Sequence, residues 1–258
     1  LNATRQTKAA EWRHAVVSDK PAPAVFVELK DGSNVFPLWL YPDQGGLSSS
    51  SERRPNFTSS FLKALSKALK LKQGGAYDLP DGLTPEAIFN YIYAVFHSPG
   101  YRSRYAEFLK IDFPRLPLTG NLELFRALAR LGGELTALHL LESPTLDQPM
   151  TELVGNRNPE VEKPTWSKDT VWVDKRQTTG FQGVPEAVWN FHIGGYQVCE
   201  KWLKDRKGHT LSTYDIVHYQ KIIVSLNETI RIMKEIDAVI DKHGGWPGAF
   251  QSGKKGDE

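Results

Sequence analysis

The 258-residue chain is 40% hydrophobic and 24% charged, the make-up of a folded globular protein, and this excludes a disordered one. Its 32 basic and 30 acidic residues leave a net charge of +2, so bulk attraction to a polyanion is excluded and any nucleic-acid contact has to come from local patches. The single cysteine, Cys199, excludes an internal disulfide and a cysteine-built zinc site.

The chain opens on Leu1, and Leu1 to Ala10 is polar, without the apolar core of a secretion signal, so it reads as a piece cut from a longer protein. Residues Lys8 to Val17 read as the end of a helix or a linker, stopped by Lys20-Pro-Ala-Pro. Ala24 to Leu29 and Asn34 to Tyr41, rich in Val, Phe, Leu and Trp around Lys30-Asp-Gly-Ser, predict a β-hairpin. Pro37 cannot donate to a ladder and puts the second strand at an edge or a bulge. Gln44 to Ser51, with Gly-Gly and a run of serines, predicts a loop.

Asn56 is placed to cap a basic amphipathic helix over Phe57 to Leu71, with Phe61, Leu62, Leu65 and Leu69 on one side and Lys63, Lys67 and Lys70 on the other. Thr84-Pro85-Glu86 starts a second helix with Phe89, Ile92, Tyr93 and Phe96 facing inward, and Ser98-Pro99 starts a third. After an extended Asp112 to Leu118, a helix returns over Asn121 to Glu142, where Gly132-Gly133 predicts a bend.

Ser143 to Lys168 reads as a long polar excursion, followed by strands at Thr170 to Asp174 and Val188 to Ile193. Gly194-Gly195 breaks the second of these before a helix over Tyr196 to Arg206, for which Gly208 is a candidate C-cap. The longest helix is predicted over Thr213 to Lys242, with Ile216, Tyr219, Ile223, Leu226, Ile230 and Met233 as its apolar stripe. Even Ile216 to Ile240 is interrupted by charge, and no run approaches the roughly 18 apolar residues of a membrane span. The sum is an α+β fold: a small mixed β-sheet, surrounding helices and a long C-terminal helix. Residues 1–19 are expected to be a linker from an upstream region, 20–243 the domain and 244–258 a disordered tail.

Familiar catalytic signatures are missing: no phosphate loop ending in Gly-Lys-Ser or Gly-Lys-Thr, no His-Glu-x-x-His, no Gly-x-Ser-x-Gly and no Asn-Pro-Pro-Tyr. Glu28-Leu-Lys30 with Asp19 upstream imitates the acid and lysine set of a magnesium-dependent nuclease, in which carboxylates hold the metal and the lysine stabilises charge. Charged residues beside a hairpin turn are equally ordinary. The histidines at 14, 97, 139, 192, 209, 218 and 243 include no i, i+4 pair, which favours structural roles and no metal site. In Trp189 to Tyr196 the two glycines either turn the chain or present helix amides to a phosphate. Two basic clusters stand out, Arg53, Arg54, Lys63, Lys67, Lys70 and Lys72, and later Lys201, Lys204, Arg206 and Lys207; either alone is an ordinary solvated face.

The block FNYIYAVFHSPGYRSRYAEFLKIDFPRLPL from Phe89 to Leu118 resembles the C-terminal specificity region of type ISP restriction-modification enzymes, single-polypeptide relatives of type I systems. VPEAVWNFHIGGYQVCEKWLKDRKG from Val184 to Gly208, His218-Tyr-Gln-Lys-Ile222, Glu228-Thr-Ile-Arg231 and Val27-Glu-Leu-Lys-Asp-Gly-Ser-Asn34 are similar to the same region. The resemblance implies a bacterial cytoplasmic enzyme in which a nuclease, a helicase-like ATPase and an adenine methyltransferase precede a coupler and this target-recognition part. The parent would use ATP, Mg and S-adenosylmethionine, whereas this part would hold no cofactor and no catalytic centre. Its partners would be double-stranded DNA and the methyltransferase and coupler domains, not a membrane.

Phosphate contacts are then expected from Arg102, Arg104, Lys201, Lys204, Arg206 and Lys207. Base readout is expected from the segment around Lys168, Lys175, Arg176 and Gln177, because arginine can take guanine, and glutamine adenine, through paired hydrogen bonds. A magnesium-dependent nuclease domain and a structural coupling domain without base readout are the alternatives.

Overall fold

The computed structural model describes residues 1–23, 32–42, 52–74 and 76–251. It is an α+β fold of small sheets and helices with a long helix near the C-terminus, and the strand pairings among the described residues are all antiparallel. The chain divides into two compact units, Leu1–Thr136 with Met233–Glu258, and Ala137–Ile232.

The first unit begins with strand β1 (Asn2–Ala3), which lies between β2 (Ala15–Val16) and β3 (Asn34–Val35). Part of the stretch expected to end a helix or form a linker is therefore a strand. Trp12, His14 and Ala15 are buried, and Trp12 meets Phe96 edge-on at 6.0 Å. Residues 8–17 carry no apolar row at helical spacing, so burial of single side chains fixes them instead.

The expected strand over Asn34 to Tyr41 splits at Pro37. Its first part pairs with β1, and its second, β4 (Trp39–Leu40), pairs with β5 (Arg54–Pro55) in a separate ladder. A proline supplies no amide to continue one ladder through this point. The partner expected at 24–29 and the loop expected at 44–51 lie outside the described residues.

Helix α1 (Ser59–Leu69) is capped by Thr58, whose Oγ1 accepts from the Phe61 amide at 3.3 Å. Asn56, the expected cap, is engaged elsewhere: its side chain donates to the Pro37 carbonyl at 3.0 Å and its amide to Leu38 at 2.8 Å. Helix α2 (Pro85–His97) starts as its Thr-Pro signal requires, with Thr84 accepting from the Ala87 amide, and Ser98 caps α3 (Pro99–Arg104) by accepting from Tyr101. The short α4 (Ala106–Leu109) follows, then α5 (Leu122–His139), which buries Leu124, Phe125, Leu128, Leu131 and Leu135.

At Gly132-Gly133, where a bend was expected, α5 continues without interruption as one helix. The glycines serve close approach instead. A Cβ on Gly132 would stand 1.9 Å from the Asn90 carbonyl oxygen of α2, so the two backbones pass where no side chain fits.

In the second unit β6 (Glu152–Val154), β7 (Thr165–Ser167), β8 (Thr170–Trp172) and β9 (Gly180–Gln182) form a sheet in the order β6-β9-β8-β7. Two of its four strands come from the stretch expected to be an irregular excursion. Three-residue strands are too short to display the alternation by which a strand is recognised. Val171 and Phe181 pair across the sheet and are fully buried, and the Phe181 ring packs on Tyr219 at 4.7 Å.

The strand expected over Val188 to Ile193 begins as helix and turn. Helix α6 (Glu186–Trp189) follows Pro185, which starts a helical turn without loss of a hydrogen bond, and only β10 (His192–Ile193) is extended. β10 pairs with β11 (Tyr196–Gln197), and α7 (Val198–Lys204) comes next, shorter than expected. It ends four residues before Gly208, which closes the following turn with φ +79° and donates its amide to Val161 at 2.8 Å.

Helix α8 (Thr213–Lys242) has the predicted bounds. Its start is a capping box: the Ser212 Oγ accepts from the Asp215 amide at 3.1 Å, and the Asp215 carboxylate accepts from the Ser212 amide at 3.0 Å. Tyr219, Ile223 and Leu226 are buried in the second unit, and Ile236 and Ile240 in the first.

The Asp237 carboxylate accepts from the Ser98 hydroxyl at 2.5 Å and the Gly100 amide at 2.8 Å, fastening α8 to the start of α3. Residues 244–251, expected to be disordered, are packed. In and beyond α9 (Gly245–Gly248), Trp246 stacks on Phe250 at 4.2 Å and meets Tyr101 and Tyr105, and the Ala249 carbonyl accepts from the Thr119 hydroxyl at 2.8 Å.

Candidate nucleic-acid interface

In the second unit the residues expected to read bases separate into two places. Lys168 and Asp169 form the two-residue turn of the β7–β8 hairpin, both with positive φ (50° and 53°), the conformation that matches the twist of paired strands. Lys175, Arg176 and Gln177 lie in the β8–β9 connection at the other end of β8, roughly 20 Å away at the rise of an extended strand. The structure therefore joins Lys175, Arg176 and Gln177 in one loop and leaves Lys168 apart from them.

That loop is held through its backbone. The Asp174 carboxylate accepts from the amides of Thr178 at 3.0 Å and Thr179 at 2.9 Å and from the Thr178 hydroxyl at 2.8 Å. The Lys175 amide donates to Glu162 at 3.0 Å, and the Gln177 side chain reaches Thr165 at 3.4 Å. Lys175, Arg176 and Gln177 are all exposed. The backbone is thus fixed by internal bonds, and of the three side chains Gln177 also has an internal partner, Thr165.

Burial works against the charge of Asp174, but the hydrogen bonds from Thr179 and Thr178 outweigh it and hold the carboxyl below its ordinary value of 3.8. A carboxyl whose folded value is depressed stabilises the fold above the unfolded value, and that contribution disappears as pH falls through the folded one. Asp174→Ala should therefore lower the melting temperature by a constant amount near neutrality, and this difference should shrink as pH falls below 3.8. An equal difference at pH ~3 and pH ~7 would show that the carboxylate charge does not hold the loop.

The α7 cluster is less available than its sequence suggests. Lys201 pairs with Asp205 and Lys204 with Glu200 at 2.9 Å, both at helical i, i+4 spacing. Exposed pairs of this kind are weak and can be exchanged for a phosphate. Arg206 is engaged more fully: its guanidinium lies 3.5 Å from the Trp202 ring centre, donates to the Trp202 carbonyl at 3.2 Å and meets Asp215 at 3.4 Å. Lys207 is exposed and makes no ion pair among the described residues.

In the first unit, Arg102 is half-buried and its Nε donates to the Phe96 carbonyl at 2.7 Å, with the Trp12 ring 5.9 Å away. Burial, aided by the nearby Arg13 charge, pushes its pKa down to about 10. This guanidinium is committed to the protein interior, whereas the neighbouring Arg104 is exposed.

Gly194 and Gly195 turn the β10–β11 hairpin, and α7 begins only after β11, so the glycines do not open onto its amides. Burial pushes the Cys199 thiol up to about 12, where it remains protonated at neutral pH. Glu28 and Lys30 of the nuclease-like pattern lie outside the described residues. Among the described residues no three His, Cys, Asp or Glu side chains are grouped to hold a metal, and no helix is long and apolar enough to cross a membrane.

Sequence reasoning missed an aromatic row beside the α7 cluster. Tyr214, 76% exposed, stacks on His218 at 6.0 Å, which stacks on Trp202 at 5.8 Å, with Arg206 over Trp202. Burial first, then Arg206, lower the His218 pKa, so the ring stacks as a neutral imidazole at neutral pH. The i, i+4 spacing of Tyr214 and His218 was the signal available.

The sequence matches the type ISP C-terminal specificity domain over residues 1–235. The chain belongs to this family. Among solved structures, this specificity domain is similar to part of the ATP-dependent type ISP restriction-modification enzyme LlaBIII bound to DNA, with a TM-score of 0.56 and 22% identity over 80% of this chain and 14% of that one. It is also similar to part of DrdV in its DNA complex, with a TM-score of 0.59 and 24% identity over 82% of this chain and 22% of that one. These likenesses show a shared fold, and the specificity domain spans less than a quarter of either chain. No curated protein matches it.

Proposed function

We propose that this specificity domain recognises a site in double-stranded DNA for a restriction-modification enzyme whose adenine methylation and cleavage are performed by other domains. The family match over residues 1–235 carries the reading. Two solved structures that share the fold belong to proteins in complex with DNA, which supports the same partner. The domain holds no catalytic centre; ATP, Mg and S-adenosylmethionine serve the remainder of a cytoplasmic parent chain, and the methyltransferase and coupler domains are its protein partners.

Base readout belongs to the loop carrying Lys175, Arg176 and Gln177, where a fixed backbone leaves a planar cation and an amide exposed, the amide exchanging its long bond to Thr165 for a base edge. Lys201, Lys204, Lys207 and Arg104 contact phosphates, and Lys168 makes a separate contact from its hairpin turn. Arg102 and Arg206 hold the fold around them, since both guanidinium groups already have internal partners.

The test is retention of random duplex DNA by the chain at two salt concentrations, followed by sequencing of what is retained. Enrichment of one motif supports site recognition. Salt-sensitive retention without enrichment reduces the function to backbone binding, and no retention overturns the reading.

A further inference from the structure

The first unit carries cations that this assignment leaves unused. Lys63 and Lys67 are exposed four residues apart on one side of α1, and Lys70, exposed as well, follows directly as its C-terminal cap with φ 56°. Helix α1 contains no acidic residue, and none of these lysines makes an ion pair among the described residues. Exposed Arg54 precedes the helix and exposed Lys72 follows it, equally without carboxylate partners among the described residues.

Like charges at i, i+4 repel. The negative end of the helix dipole compensates Lys67 and Lys70, but Lys63 lies in the middle of the helix, beyond its reach. The neighbouring ladder adds a different chemistry: Arg53 lies 4.2 Å from the Trp39 ring centre, and Tyr77, 43% exposed, meets the same indole edge-on at 6.1 Å. Such a cation on an aromatic platform is suited to the sugar-phosphate backbone.

We infer that α1 and the Arg53–Trp39–Tyr77 stack form a second DNA-contact surface, which grips phosphates independently of sequence. Lysine is a compact point charge without the planar fork that selects a base, which fits a positioning role. A lipid surface fits less well: Leu62, Leu65 and Leu69 are buried, so α1 has no apolar side left to insert. The inference rests on the recognition reading.

The experiment compares the chain with its Lys63→Gln/Lys67→Gln/Lys70→Gln variant in binding to duplex DNA across a salt series. Glutamine retains nearly the helix propensity of lysine, and circular dichroism verifies that the variant is folded. The expected result is weaker binding to every sequence, an unchanged motif preference, and a slope of log affinity against log salt shallower by about 2 to 3. An unchanged slope overturns the surface alone. Failure of the unaltered chain to bind DNA overturns the recognition reading, and the surface with it. Should the triple variant not fold, Arg53→Gln carries the same comparison, with an expected slope change of about 1.

Discussion

Gly132→Ala should lower the melting temperature by about 4–8 °C, against the usual direction of a glycine-to-alanine change in a helix. Within a helix that change ordinarily gains about 1 kcal/mol, because alanine loses less backbone entropy. At Gly132 the added Cβ would lie 1.9 Å from a carbonyl oxygen of α2. Backbone atoms cannot rotate away, so α2 and α5 must move apart, and the Tyr91 and Phe125 rings stacked between them at 4.6 Å lose contact. Overpacking costs about 1–3 kcal/mol, and a clash with backbone lies at the upper end, exceeding the propensity gain by about 2 kcal/mol.

Gly133→Ala is the control. There the nearest atom is the Asn90 side-chain nitrogen at 3.1 Å, the movable end of a side chain, so the variant should fall within about 1 kcal/mol of the parent. Thermal melts of the two variants check the pair. A Gly132→Ala protein as stable as the parent would mean that the helices do not pass so closely.

Arg176→Ala and Gln177→Ala should each weaken binding to the preferred DNA site by about 1–3 kcal/mol, or roughly 5- to 150-fold, and relax selection at one base pair. The loop keeps its shape in either variant, because Asp174 and Glu162 hold it through backbone amides. Lys207→Gln should behave differently, weakening all sequences alike and making the salt slope shallower by about 0.9. Repeating the random-duplex selection with each variant measures both quantities. If the enriched motif and its affinity survive both Arg176→Ala and Gln177→Ala, base readout does not reside in this loop.

The starts of α2 and α3 and the extent of α8 were legible. Thr84-Pro85 and Ser98-Pro99 fix two starts by local chemistry, and the apolar stripe of α8 fixes the longest element. Of the strands, that expected at Thr170 to Asp174 is found as β8, but Glu152–Val154 and Thr165–Ser167 were missed, being too short to alternate and dependent on partners distant in sequence. Val188 to Ile193 misled because its apolar residues favour strands, while the preceding proline, a local start signal, set a helical turn. At the site, composition identified the basic residues but not their engagements. Whether Arg102 reaches the Phe96 carbonyl, or Arg206 lies on Trp202, is decided by packing. Lys168 and Lys175 are seven residues apart, and only the strand between them separates their ends.

The two units differ in when a ribosome can complete them. The second unit is one unbroken stretch, residues 137–232, so all of its core has been synthesised when Ile232 emerges. The first unit starts earlier but must wait: Ile236, Ile240, Trp246 and Phe250 come last, and α3 remains without its Asp237 clasp until then. Folding that follows synthesis therefore finishes the later-encoded unit first, and the earlier one closes only when the final turns of α8 arrive.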